Sequence, residues 1–291
     1  MKLVRFEREG RFEVGAVLED LATVLCVEDP PSTIEALLES EGRARRMRAA
    51  IEKGRGSTLP LAALTIAAPL RRTPHNVFCV GLNYLEHVAE GARTRQAPAP
   101  TIEYPVFFTK SADTIIGPRD EIPLWTKVTQ ALDYEVELAV LLGRGGRDIS
   151  PDTAWDHVFG VCVANDVTAR DLQRRHGQWF KGKSLDGSLP LGPWIVTRDE
   201  IGDVGSLVLS LHVNGELRQR AAVRDMIFDI PRLIAELSNG MTLASGDLIL
   251  TGTPSGVGFA RTPPVFLQAG DEVVCAISGG LGEIRNLIAE R

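Results

Sequence analysis

Cysteine is scarce and scattered. The four cysteines, Cys26, Cys79, Cys162 and Cys275, lie far apart, three of them inside apolar runs. That spacing offers neither a C-x-x-C pair nor a disulfide framework, and fits free buried thiols in a reducing compartment. Long apolar stretches are missing too, since none approaches the ~18 residues a membrane-spanning helix needs. The first ten residues alternate charge and hydrophobe without an apolar signal core, so a cytoplasmic protein is expected. Positive charge is not in surplus: the formal net charge is −6. The cluster Arg43, Arg45, Arg46 and Arg48 is interleaved with Glu39, Glu41 and Glu52 and reads as a solvated helix face, so no nucleic-acid footprint is expected. No internal repeat is visible, and strands do not alternate with long helices, which disfavours a doubly wound parallel sheet.

What remains is an ordinary globular composition, 44% hydrophobic and 24% charged, which excludes wholesale disorder. Lys2 to Phe6, a turn near Gly10, and Phe12 to Val14 read as a hairpin. Thr33 to Lys53 reads as one helix capped by Ser32 or Thr33 and broken at Gly54. A soft boundary near residue 70 separates a small N-terminal α+β domain (1–70) from the remainder (71–291). Beyond it come short β-rich runs: 77–80, 106–109, 134–142, 158–163, 194–196, 207–213, 247–251 and 272–277. Asn214-Gly215 predicts a two-residue hairpin turn. Helices are expected only over 83–90, within 169–175, and over 230–237. The fold class is therefore α+β, mostly β.

The run from Leu132 to Val140 carries Asp133, Glu135 and Glu137 at alternate positions, one face of a strand, with same-face neighbours roughly 6.5–7 Å apart. Carboxylates that close repel unless a cation or solvent compensates. The run continues into Ala139-Val140-Leu141-Leu142, which points to burial. Asp166 ends another apolar run, 158–165. Glu135, Glu137 and Asp166 would make an all-oxygen set without His or Cys, suited to Mg²⁺ or Mn²⁺, with Ca²⁺ as a possible substitute and zinc disfavoured. Taken alone, an E-x-E on a strand is more often a solvated or salt-bridged face.

Several motifs occur in order: Gly81-Leu82-Asn83-Tyr84 with His87 and Glu90, Asp133-Tyr134-Glu135-Val136-Glu137-Leu138, and Asn165 to Gln173. Gly182-Lys183-Ser184-Leu185-Asp186, Pro190-Leu191-Gly192-Pro193, Asn214-Gly215, Thr251 to Gly258 and Gly270-Asp271 follow. Between about His75 and Asn286 this set resembles the fumarylacetoacetate hydrolase family, in its shorter acylpyruvase, fumarylpyruvate hydrolase and ring-cleavage hydratase-isomerase members. The resemblance implies a mixed, folded β-roll with a small N-terminal domain, a homodimer, and Glu135, Glu137 and Asp166 as metal ligands.

Other residues take roles within that frame. His87 and Glu90, three apart on a helix, can touch, and the carboxylate would fix the imidazole tautomer for proton transfer. Gly81 and the loop over residues 91–105 suit a lid. Lys183, selected over Lys181 by the resemblance, would offset charge on an enolate oxygen. Arg170 and Gln173, four and seven after Asp166, would share a helix face with it and brace a ligand or hold substrate. Thr253, in a turn with Gly252, Gly256 and Gly258, would sit in a small anion site for a substrate carboxylate. Neither that turn nor Gly143 to Gly146 fits a dinucleotide loop, since no helix follows.

The expected reaction is hydrolysis of the C3–C4 bond of a small 2,4-dioxo acid, an acylpyruvate or fumarylpyruvate, with a pyruvate enolate stabilised by the metal and Lys183. The alternatives are an oxaloacetate-type decarboxylase, a hydratase or isomerase of a 2-oxo-enoic diacid on the same site, and a non-catalytic metal-stabilised binding protein.

Overall fold

The computed structural model describes residues 1–94 and 96–291; Arg95, within the lid expected over 91–105, lies outside the described residues. Strands β1 (Lys2–Arg8) and β2 (Arg11–Val17) form the expected hairpin, with Glu9 and Gly10 both at positive φ in its turn. β3 (Thr23–Cys26) and β4 (Ser57–Pro60) continue the antiparallel ladder. Between them the single helix expected over 33–53 is two helices, α1 (Glu35–Leu38) and α2 (Glu41–Glu52). The break is at Ser40, whose extended backbone and hydroxyl cap the Arg43 amide of α2. A serine in the middle of a helical pattern competes for backbone donors and starts a new helix. The short β5 (Thr65–Ile66) pairs with β1.

The chain then lays down β6 (Val77–Gly81), α3 (Leu85–Thr94), β7 (Val106–Lys110), β8 (Ile115–Ile116) and β9 (Ile122–Leu124). β10 (Leu132–Asp133), β11 (Val136–Leu142), β12 (Val158–Asn165) and β13 (Thr168–Ala169) follow. Next are α4 (Arg170–Arg175), α5 (Phe180–Lys183) and β14 (Leu189–Thr197). β15 (Val208–Val213) and β16 (Glu216–Ala222) are the expected Asn214-Gly215 hairpin. α6 (Ile230–Ser238), β17 (Leu248–Leu250), β18 (Glu272–Ile277) and β19 (Gly282–Glu290) complete the chain.

The large sheet has the order β4-β3-β2-β1-β14-β12-β11-β17-β6-β7, with β5 paired to β1 and β8 to β14 off this path. Because β1 pairs with β14, this sheet runs across residue 70 without interruption. A second sheet has the order β16-β15-β18-β19-β9. Most pairings are antiparallel, but β17–β6, β14–β8 and β19–β9 are parallel. The fold is the mixed, mostly β, α+β class expected. Alternation along β11 divides the core: Val136, Leu138 and Val140 pack with Leu209, Leu211, Val273 and Ile284 of the second sheet. Ala139 and Leu141 turn to the opposite face, where Ile34, Leu37 and Met47 of the α1–α2 region cover them.

One strand differs from its expected course. β11 starts at Val136 rather than Tyr134, and β10 ends at Asp133. Side chains replace ladder partners at the gap: Asn165 Oδ1 accepts from the Glu135 amide (3.0 Å) and Gln219 Oε1 from the Val136 amide (3.0 Å). The three acids therefore do not lie along one uninterrupted strand face.

Candidate active site

Glu137 is on β11, Glu135 in the gap before it, and Asp166 immediately after β12. Val136 is paired with Asn165, and the Asp166 amide donates to the Glu135 carbonyl (2.8 Å), so the ladder itself brings these acids together. One carboxylate oxygen from each lies within 4.8 Å of the others, and all three side chains are buried.

Their charge is held by buried cations. Arg170 forks between Asp133 (Nε, 2.8 Å) and Glu135 (Nη2, 2.5 Å), while Lys183 Nζ bridges Glu135 (2.7 Å) and Asp166 (2.5 Å). Lys110, entirely buried at the end of β7, reaches Asp166 Oδ1 (2.8 Å) and donates to the Val167 carbonyl (3.1 Å). Burial would raise the Glu135 pKa, but Arg170 and Lys183 outweigh it and draw it down to about 2. Glu137 is driven the other way, well above the ordinary range, by burial and by the charges of Asp166 and Glu135; Gly252 N–H (2.6 Å) is its hydrogen-bond donor. Burial opposes the charge on Lys183, yet Asp166 and Glu135 hold its pKa above the usual lysine value. The Lys110 pKa is lowered, chiefly by burial.

These residues fit a hard divalent cation. Four buried carboxylates (Asp133, Glu135, Glu137, Asp166) face three buried cations (Lys110, Arg170, Lys183), leaving Glu137 without a counter-charge of its own. Asp166 Oδ1, despite Lys110 nearby, has no donor in hydrogen-bonding line. An all-carboxylate set without His or Cys suits Mg²⁺ or Mn²⁺.

Glu135 and Glu137 line a cavity of about 380 Å³ that also takes in His87, Lys183, Thr253 and Gln173, with Asp166 buried behind them. His87 Nδ1 is 3.2 Å from Glu90 Oε2 on α3, and Glu90 Oε1 accepts from the Gly256 amide (2.9 Å). The His87 ring meets Phe259 edge-on, the Arg170 guanidinium lies over the Phe259 ring at 4.5 Å, and Lys183 Nζ lies 5.0 Å from the Phe108 ring. The wall is thus apolar where the floor is charged. Helix α3 begins at Leu85 and runs to Thr94, later at both ends than expected.

Two sequence expectations need correction. Asp166, Arg170 and Gln173 are not on one helix: β13 intervenes and pairs with β10, so α4 starts at Arg170. Arg170 and Gln173 do meet, through Nη1 to Oε1 at 3.3 Å, while Arg170 reaches the acids from across the β10–β13 pair. The glycine-rich turn also differs from an open anion site. Its Gly252, Gly256 and Gly258 amides hold the protein's own carboxylates, Glu137, Glu90 and Asp133. Thr253 Oγ1 donates to the Val136 carbonyl (3.0 Å) and accepts from Gln219 (2.8 Å), so it braces the floor as well as lining the cavity. Gly256 is required there: its φ is +105°, and a Cβ would sit 1.9 Å from the Arg218 carbonyl oxygen.

Residues 76–289 match the family described as "Fumarylacetoacetate (FAA) hydrolase C-terminal". The chain belongs to the fumarylacetoacetate hydrolase family. Within that family it is similar to an oxaloacetate tautomerase of Bacillus subtilis (strain 168), 44% identical over 99% of this chain and 100% of the relative. Among solved structures it is similar to a fumarylacetoacetate hydrolase from psychrophilic Exiguobacterium antarcticum, with a TM-score of 0.86 and 41% identity, each chain covered in full. It is also similar to a maleylpyruvate hydrolase from Sphingobium sp. SYK-6 in complex with manganese(II) and pyruvate. That match has a TM-score of 0.77 and 28% identity, and covers 100% of this chain and 99% of the other.

Sequence reasoning passed over Lys110 and Gln219. Lys110 ends the apolar run Val106-Phe107-Phe108-Thr109, the same signal that singled out Asp166. Gln219, 1% exposed on β16, had no such signal: it reaches the floor from the second sheet, and only tertiary structure supplies that contact.

Proposed function

We propose that this protein is a divalent-metal-dependent enzyme that interconverts the keto and enol forms of a 2-oxo dicarboxylate, with oxaloacetate as substrate. The observation that carries the reading is one cavity lined by His87, which Glu90 holds from behind, and by Glu135, Glu137 and the buried Lys183, with Asp166 clustered beside the two glutamates. The likeness to an oxaloacetate tautomerase over the whole chain supports the choice of reaction. Glu135, Glu137 and Asp166 would hold Mg²⁺ or Mn²⁺. The chemistry such an ion supplies is electron withdrawal from the 2-oxo group, which acidifies the C3 protons.

The chain's own residues complete the step. His87 Nδ1 is turned to Glu90, leaving Nε2 to take a proton from C3 as the electron pair moves onto the C2 oxygen. The His87 imidazolium then returns that proton to the C2 oxygen, giving the enol with no net change in protons; ketonisation runs the same path in reverse. The Lys183 ammonium offsets charge on the oxygen while it develops. Phe108 and Phe259 keep bulk water from the floor, which strengthens these interactions.

The second reading is C3–C4 hydrolysis of an acylpyruvate, favoured by the likeness to a maleylpyruvate hydrolase that holds manganese and pyruvate. There His87 would activate water toward the C4 carbonyl. Both are tested together by following the decay of enol-oxaloacetate absorbance and, separately, pyruvate release from acylpyruvates, with Mn²⁺ present. Ketonisation should be accelerated, and His87→Ala should cost about 10²–10⁴-fold. Pyruvate release without accelerated ketonisation would replace the first reading with the second.

A further inference from the structure

We propose that Arg174 is the subsite for the distal carboxylate of the substrate, so that the cavity selects 2-oxo acids bearing a second acid group. The inference rests on the enolising-site reading above and names the substrate class it takes.

The cavity is graded in exposure. Its floor, Glu135, Glu137, Arg170 and Lys183, is buried, whereas Thr94, Arg174 and Gly177 at its rim are exposed. It is graded in charge as well. Among the cations lining it, Arg170 is committed to Asp133 and Glu135, and Lys183 to Glu135 and Asp166. Arg174 is not committed in this way. Its Nε donates to the Arg170 carbonyl (3.3 Å), and among the described residues Nη1 and Nη2 meet no acceptor. The Nε bond aims the guanidinium from the last turn of α4, and the two Nη groups remain as a planar fork for a carboxylate.

Floor and rim therefore ask for different parts of one molecule. The floor suits a 2-oxo acid head, whose carboxylate and oxo oxygens meet the cation site and Lys183. A cavity of about 380 Å³ exceeds what that head fills, and Arg174 lines it together with Gln173 and Trp179 on its exposed side. A 2-oxo monocarboxylate leaves Arg174 solvated; a dicarboxylate engages it. Being exposed and on one short helix, Arg174 can be replaced without opening the core.

The test is calorimetric binding of two ligands to Mg²⁺-loaded protein: oxalate, which carries only the head, and oxaloacetate, which adds the distal acid. Arg174→Ala should weaken oxaloacetate about tenfold or more while leaving oxalate within about twofold. Arg174→Lys should restore part of the loss. Equal weakening of both ligands, or of neither, overturns the inference. If oxaloacetate binds through Arg174 but is not tautomerised, the proposed reaction fails and the subsite stands. If tautomerisation proceeds with an unchanged KM in Arg174→Ala, the reaction stands and the subsite fails.

Discussion

Glu135 and Glu137 are two residues apart, both buried, and held in opposite electrostatic states. Glu135 is the counter-ion of Arg170 and Lys183, whereas Glu137 has a backbone amide and two like-charged neighbours. Their neutral variants should therefore diverge. Glu135→Gln removes the partner of two buried cations and should cost about 3–5 kcal/mol of stability. Glu137→Gln removes a repelled charge and should raise the metal-free melting temperature while abolishing the response to Mn²⁺. Calorimetric melting of both variants with and without metal checks the pair of signs; a loss of stability in both would mean that Glu137 is a structural anion. The residue scale was also where the sequence was most legible. Alternating acids and an acid closing an apolar run pointed to residues that the ladder does bring together. Lys110 carries the same signal with opposite charge, but a lone lysine closing an apolar run has no second cation at strand spacing to mark it as part of a cluster.

At the scale of elements, legibility followed local chemistry. The turns at Gly10 and at Asn214-Gly215 were readable because glycine and asparagine take positive φ at little cost. The split of α1 from α2 and the gap between β10 and β11 were not, because each depends on a side chain taking over a backbone partner. Helix α2 is tied to the segment after β14 by Arg48, which pairs with Asp199, and the Met1 ammonium lies 3.2 Å from Glu200 beside it. The Arg48 hydrogen bond, more than any other contact, lowers the Asp199 pKa below its ordinary value of 3.8. A carboxylate shifted down on folding contributes stability above its unfolded pKa and loses it as pH falls through the folded one. Asp199→Asn should thus lower stability at pH 7 by under about 1 kcal/mol for so exposed a pair, seen as a lower melting temperature. The difference should shrink steadily below pH 3.8. A difference that persists at acid pH would assign the contact to packing instead of charge.

For the whole molecule, the acidic cluster proposed to hold a cation is a junction of the large sheet's ladder, the β10–β13 pair and helix α5, so a cation bound there should stabilise all of them together. A ligand at one hundred times its dissociation constant adds about 2.7 kcal/mol if the unfolded chain does not bind it. Mn²⁺ should accordingly raise a single cooperative transition, and chelation should reverse it; two separate transitions with only one moved would contradict that coupling. Fold class was legible at this scale because β-rich runs, few helices and no strand–helix alternation leave little else. The joining of β1 to β14 was not, since a pairing between residues nearly two hundred apart leaves no trace in either segment alone.

Gln219 spans the interval between the two layers, gripping the Val136 amide and the Thr253 hydroxyl from a strand of the other sheet. The spacing of the acids is thereby referenced to the thickness of the core rather than to one strand. Warming that slackens the contact between sheets would release both grips in the same event, so catalytic competence and cooperative packing should expire at one temperature, with no interval in which a folded but inert molecule persists.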